Sequence, residues 1–229
     1  MSVHHRPRIV PDSIVFYVDA ANSKSFVSGG STMADMKGGL TGTLTNGPVF
    51  SGSNNGYITF DGVNDYISFG DNKICEVQSK SVCAWIYRSN NGFISIVDKD
   101  FDNGGSNYGG WGFWLSSGNK LVLWVHANKD MIDTGSAISL STWTHVAFAY
   151  DYSGKSVTFY INGVASSTVT DATIVEKASD TTALCVGTAR GGSLGPFNGR
   201  ISNVIVYGRI LTAAEILQNY NSTRGRYGL

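Results

Sequence analysis

Glutamate is nearly missing from this chain: among 229 residues only Glu76, Glu176 and Glu215 occur, and none has a second acid two positions away. Proline is scarce, with 4 residues, so few strands are barred from a ladder on that account. The three cysteines, Cys75, Cys83 and Cys185, form no CxxC pair, and two of them lie inside the apolar patterns SVCAWIY and ALCVG. Buried free thiols are therefore expected rather than a disulfide framework or a metal knot, as suits a reducing cytoplasm. Lysine plus arginine number 17 and aspartate plus glutamate number 17, so no net field draws the chain to nucleic acid or an anionic membrane. No apolar run has the length of a membrane span, and MSVHHRPRIV lacks the apolar centre of a secretory leader, so the chain is expected to fold where it is made, without membrane insertion. Interleaved helical periodicity is missing too, which argues against βαβ architecture.

What is present is alternation. In Trp143 to Gly163, Val146, Phe148 and Tyr150 alternate with His145, Ala147 and Ala149, the period of a strand with one face in a core. Asp151 to Lys155 turn the chain, Val157, Phe159 and Ile161 alternate with Ser156, Thr158 and Tyr160, and Asn162-Gly163 supplies a tight turn into Val164 to Val169. Further strands are expected at Ile14 to Asp19, Tyr57 to Phe60, Asp65 to Phe69, Ser81 to Tyr87, Phe93 to Lys99, Gly110 to Leu115, Lys120 to His126, Leu184 to Gly187 and Gly199 to Tyr207, with weak ones at Leu40 to Leu44 and Val49-Phe50. About a dozen half-apolar strands punctuated by 28 glycines predict an all-β, two-sheet antiparallel sandwich in one domain over residues 14–222. Residues 1–13, which carry His4, His5, Arg6 and Arg8 with Pro7 and Pro11, are expected as a basic extended arm whose functional version is a segment that docks on a neighbouring subunit. Residues 223–229 are expected as an exposed tail. One short C-terminal helix is legible: Thr212 and Glu215 fit a capping box, and Ile216, Leu217 and Tyr220 form its apolar stripe.

In their order and spacing, YITFDGVNDYISFGD, WTHVAFAYDYSGKSVTFYINGV and GPFNGRISNVIVYGRILTAAEILQNYN resemble the laminin-G-like group of the concanavalin A-like lectin/glucanase superfamily. The opening IVFYVDAANSKSF and the ending YNSTRGRYGL resemble single-domain versions in structural proteins of tailed bacteriophages. The resemblance covers residues 12–229. It implies a jelly roll and a place on a virion surface, as a capsid decoration or a tail or fibre attachment subunit assembled in the host cytoplasm. The implied partners are other virion proteins and further copies of the chain.

Hydrolysis by the superfamily's enzyme branch uses a Glu-x-Asp-x-Glu strand, which this chain lacks, so no catalytic residues are expected. His145 lies near Ser141 and Asp151, but no nucleophile elbow accompanies them, and the resemblance makes His145 a strand-entry residue. The densest acidic run is DKDFDNG, in which Asp98, Asp100 and Asp102 at alternate positions are candidate ligands for calcium, the alternative being a solvated loop. The aromatic hairpin Trp111 to His126 is the candidate sugar surface. Trp111, Phe113 and Leu115 share one strand face, while Trp114, Trp124 and His126 are expected on the other, where indoles stack on sugar rings. The alternative is that a loop or subunit covers them. The resulting expectation is a non-enzymatic virion surface protein, with carbohydrate binding, calcium-dependent or not, as the second reading and polysaccharide cleavage as a remote third.

Overall fold

A computed structural model describes residues 8–102, 108–125, 129–174 and 182–229. In chain order the strands are β1 (Ile14–Asp19), β2 (Thr32–Ala34), β3 (Thr41–Thr45), β4 (Val49–Ser51), β5 (Tyr57–Asp61), β6 (Tyr66–Asp71), β7 (Lys80–Arg88), β8 (Ile94–Asp98) and β9 (Phe101–Asp102). They continue with β10 (Tyr108–Gly109), β11 (Trp111–Leu115), β12 (Leu121–Val125), β13 (Lys129–Ile132), β14 (Trp143–Asp151), β15 (Ser156–Ile161), β16 (Val164–Thr170), β17 (Ala183–Val186) and β18 (Asn198–Tyr207), followed by helix α1 (Ala213–Thr223). Two antiparallel sheets form the predicted jelly-roll sandwich. One runs β16-β15-β14-β7-β18-β5-β4, with β1 beside the far half of β18; the other runs β13-β12-β11-β8-β17-β6-β3-β2. Strand β18, the last in sequence, thus lies in the middle of the first sheet.

The alternation in β14 and β15 does what its period demands. Val146, Phe148 and Tyr150 pair in register with Ile161, Phe159 and Val157 and face the opposite sheet. Phe148 meets Phe113 at 5.0 Å and 80°, an edge-to-face contact that ties the two sheets together. Asn162 and Gly163 both take positive φ, 50° and 79°, as a type I′ turn requires. Cys75, Cys83 and Cys185 are buried free thiols. Among the described residues no helix is long and apolar enough to cross a membrane.

The outer face of the first sheet is itself aromatic, and the two ends of the chain cover it. Thr212 and Glu215 close the predicted capping box. The stripe of α1 differs from expectation: Ile216 is buried, Leu217 is 41% exposed, and the buried partner on the helix is Asn219. Its amide accepts from Val10 N at 2.8 Å and donates to the Tyr207 hydroxyl at 3.0 Å, so one polar side chain satisfies both the N-terminal segment and the sheet. Residues 8–12 of the expected arm therefore pack on their own chain; residues 1–7, with His4, His5 and Arg6, lie outside the described residues.

The expected exposed tail is also packed. Tyr227 stacks on Trp85 with centroids 4.1 Å apart and lies 4.7 Å from Trp143. Arg226 donates through Nη1 to both carboxylate oxygens of Asp19, at 2.9 and 2.8 Å. The physical reason is aromatic area: Trp85 and Trp143 could not stay in water at low cost, and a tyrosine ring covers both.

His145 sits on the same outer face between Trp85 and Tyr220, 2% exposed. Burial pushes its imidazole down from 6.5 to about 3. The fold thus holds the neutral ring, and the stability this group contributes is complete above 6.5 and lost as pH falls toward 3, at roughly 1.4 kcal/mol per pH unit. Urea unfolding of the native chain and of His145→Phe between pH 7 and 5 should give a clearly shallower loss in the variant. Parallel losses in the two proteins would contradict the burial of a neutral imidazole.

Candidate functional site

The aromatic hairpin β11–β12 splits its side chains between two faces as its alternation predicts. Trp111, Phe113 and Leu115 enter the core, while Trp114 and Trp124 lie together on the outer face of the second sheet with Val122 and Ala189. The expected open groove is absent there. Trp114 is 1% exposed and Trp124 6%, because residues 188–195 fold over them. Ser95 N donates to Gly195 O at 2.9 Å and seats that loop, the Phe93 ring lies 4.6 Å from that of Trp114, and the Arg190 guanidinium lies 5.6 Å from the ring of Trp124. His126 lies outside the described residues.

Beneath the loop are two of the acids singled out for calcium. Asp98 and Asp100 are both fully buried. Trp114 Nε1 donates to Asp98 Oδ2 at 2.9 Å; the backbone amides of Asp100 and Arg190 donate to Asp98 Oδ1 at 3.1 and 3.2 Å. Arg190 Nε donates to Asp100 Oδ2 at 3.1 Å. Gly112 makes the indole–carboxylate contact possible, since a Cβ there would stand 2.0 Å from Trp114 Nε1 and 2.2 Å from Asp98 Oδ2. A guanidinium, an indole and backbone amides thus surround these carboxyls where a cation's other ligands would have to be. Among the described residues no three His, Cys, Asp or Glu side chains gather as a metal site requires. Asp102 contributes its backbone to β9, and its side chain lies outside the described residues.

A second aromatic surface, unmarked in the sequence reading, lies on the first sheet beside the tail. Tyr57, Tyr87, Trp143 and Arg200 occupy outward positions on β5, β7, β14 and β18. Register sets Arg200 opposite Thr59 on one side and Tyr87 on the other, and Trp143 opposite Tyr87. The Arg200 guanidinium lies 4.4 Å from the Tyr87 ring and 5.1 Å from the Tyr57 ring. Trp143 is 5.7 Å from Tyr87 and 5.5 Å from Tyr57, with its Nε1 donating to Asn54 Oδ1 at 3.3 Å. Tyr57 and Trp143 are buried, each 8% exposed, while Tyr87 and Arg200 are half-buried, so it is that pair which reaches solvent where the tail stops. The available signal was the outward parity of Tyr87 in SVCAWIYR and of Arg200 in NGRISNV.

The buried acid pair makes a stability prediction. Burial, and then the neighbouring Asp100, push the Asp98 carboxyl well above the usual carboxylate range. The folded state therefore binds this proton more tightly than the unfolded state does. The associated stability is complete below the ordinary value of 3.8 and is lost as pH rises through the folded value. Asp98→Asn keeps an acceptor for Trp114 and removes the titrating group, at a pH-independent cost where Nδ2 replaces the oxygen that accepts the amides of Asp100 and Arg190. The melting temperature of the variant relative to the native chain should therefore rise between pH 4 and pH 8; a difference that stays constant or falls would contradict a raised Asp98 carboxyl.

No curated protein matches the chain by sequence. Solved structures match it by shape. A Trypanosoma rangeli sialidase in complex with sialic acid superposes with a TM-score of 0.69 at 13% identity, over 97% of this chain and 36% of that one, so the chain spans about a third of the sialidase's length. Domain 4 of AbnA, an extracellular arabinanase of family GH43 from Geobacillus stearothermophilus in complex with arabinotriose, gives 0.68 at 18% identity, over 91% of this chain and 98% of that one. The binding domain of Paraclostridial Mosquitocidal Protein 1 gives 0.67 at 18% identity, over 92% and 52%. At these identities the likeness is one of fold. The sequence itself goes further, because residues 61–217 match the laminin-G-type family of this fold, and the chain belongs to the concanavalin A-like lectin/glucanases superfamily.

Proposed function

We propose that the chain is a non-catalytic virion surface subunit whose lectin-like domain grips polysaccharide through Tyr87 and Arg200, with Tyr57 and Trp143 packed behind them. The observation that carries the binding half is that a half-buried tyrosine ring, Tyr87, stands beside a half-buried arginine, Arg200, on an outer sheet face, a pairing of ring and donor that sugar recognition uses. Structural neighbours described as a binding domain and as a domain in complex with arabinotriose support it. The non-catalytic half is supported by the state of the acids. Asp98 and Asp100 are buried beneath Arg190, Glu215 pairs with Arg209 at 2.6 Å, and Glu76 pairs with Lys73 at 3.1 Å. Glycoside cleavage needs two carboxyls facing one sugar across a cleft.

The virion half rests on the ends of the chain. The two end segments that resemble phage structural proteins meet in the fold through Asp19 and Arg226, so the resemblance describes one packed unit. Exposed apolar residues at the edges of the first sheet, Val49 at 63% and Val164 at 67%, suit assembly with further copies or other virion proteins.

Titration of the native chain against a bacterial polysaccharide panel, with and without chelator, tests the binding reading. Binding should be detected and unchanged by chelator, weakened on the order of tenfold in Tyr87→Ala, a loss of ~1.4 kcal/mol, and left intact in Asp98→Asn, with no product released. Binding to nothing on the panel, or release of cleaved sugar, would overturn it. Mass spectrometry of purified particles tests the virion reading, which fails if the chain is absent from them.

A further inference from the structure

We infer that the glycan held by this surface carries a carboxylate, a uronic acid or a similar sugar acid, and that Arg200 is the residue that recognises it. The inference rests on the proposed binding surface and names its ligand class. Arg200 is flanked by two tyrosine rings, which fix it in place through cation–π contact and cover apolar parts of its environment. Among the described residues its side chain takes part in no ion pair or hydrogen bond, so the planar fork of N–H donors is unclaimed. The other charged groups around it are committed or turned away. Asp61, two positions beyond Thr59 on β5, accepts from the backbone amides of Val63 and Asn64. Asp19 is taken by Arg226. Arg88, next to Tyr87 in sequence, is buried and bonded to Asn90 O.

A guanidinium held against rings, with its donor edge free, matches a planar group that accepts two parallel hydrogen bonds, which is a carboxylate. One guanidinium answers one negative charge, which fits a single sugar acid better than a phosphate carrying nearly two. The chain's net charge of zero supplies no wider field for a densely charged polyanion. The half-buried Tyr87 ring would then take the apolar face of the same sugar.

The test uses the full chain and matched probes: polygalacturonate, alginate and hyaluronan oligosaccharides, their carboxyl-reduced neutral counterparts, and a sulfated oligosaccharide of equal length. Calorimetric titration should give at least about tenfold tighter binding to one carboxylated probe than to its reduced form. Arg200→Gln should abolish that preference while leaving residual affinity equal for both forms, and Arg200→Lys should retain charge yet lose most of the preference. Circular dichroism melts of both variants establish that they fold. Tighter binding of neutral or sulfated probes, or a carboxylate preference that survives Arg200→Gln in a folded variant, overturns the inference while the binding surface stands. Binding of no probe by the native chain overturns both.

Discussion

The contact on which much of this structure depends is the stacking of Tyr227 on Trp85 beside Trp143, locked by the Arg226–Asp19 ion pair. A two-sheet sandwich buries its inner faces by construction and leaves two outer faces to water. Here the outer face of the first sheet carries Cys83, Trp85, His145, Ala147, Tyr160, Ile205 and Tyr207, more apolar area than a solvated face can hold cheaply. Residues 8–12, α1 and the last residues together cover it. Neutral His145 follows from that cover, because an imidazole sealed between Trp85 and Tyr220 cannot be charged at ordinary pH. Beyond Tyr227, Trp143 and Tyr57 are still buried and Tyr87 is half-buried.

The second sheet resolves the same problem locally. Trp114 and Trp124 are roofed by the loop that joins β17 to β18, and the loop is tied down by Arg190 across Asp100. Arg190 sets a positive charge against the buried Asp100 carboxyl, and burial pushes the Asp98 carboxyl above the usual carboxylate range. Tryptophan, guanidinium and carboxylate therefore act here as a closing device, whereas at Arg200 the rings of Tyr87 and Tyr57 flank the guanidinium and, among the described residues, no acid pairs with it.

Much of the fold was legible because long strands state their period. Strands β14 and β15, the Asn162-Gly163 turn and the Thr212–Glu215 capping box all stand where alternation and cap chemistry put them. Strands β2, β9, β10 and β13 were not readable, since they have two to four residues and lack the apolar runs that marked the equally short β4 and β17. The sequence reading put Leu217 in the helix's apolar stripe, but Asn219 takes the buried place, because its partners Val10 and Tyr207 come from distant segments. The candidate site was legible in face but not in cover. Alternation correctly paired Trp114 with Trp124, yet nothing in that hairpin announces that Gly195 and Arg190 will close over it. Tyr87 and Arg200 become neighbours only through the β7–β18 register, which a single sequence does not reveal.

Under the proposed function the ligand face lies on the helix-bearing sheet, at the edge of the tail's cover, and not on the tryptophan pair of the opposite sheet. Backbone and side-chain NMR shift mapping of the intact chain during titration with a bound acidic oligosaccharide tests it most directly. Shifts concentrated at Tyr87, Arg200, Thr59 and Trp143, with Trp114, Trp124 and Arg190 unmoved, are the predicted result; shifts centred on Trp124 and Arg190 would contradict it.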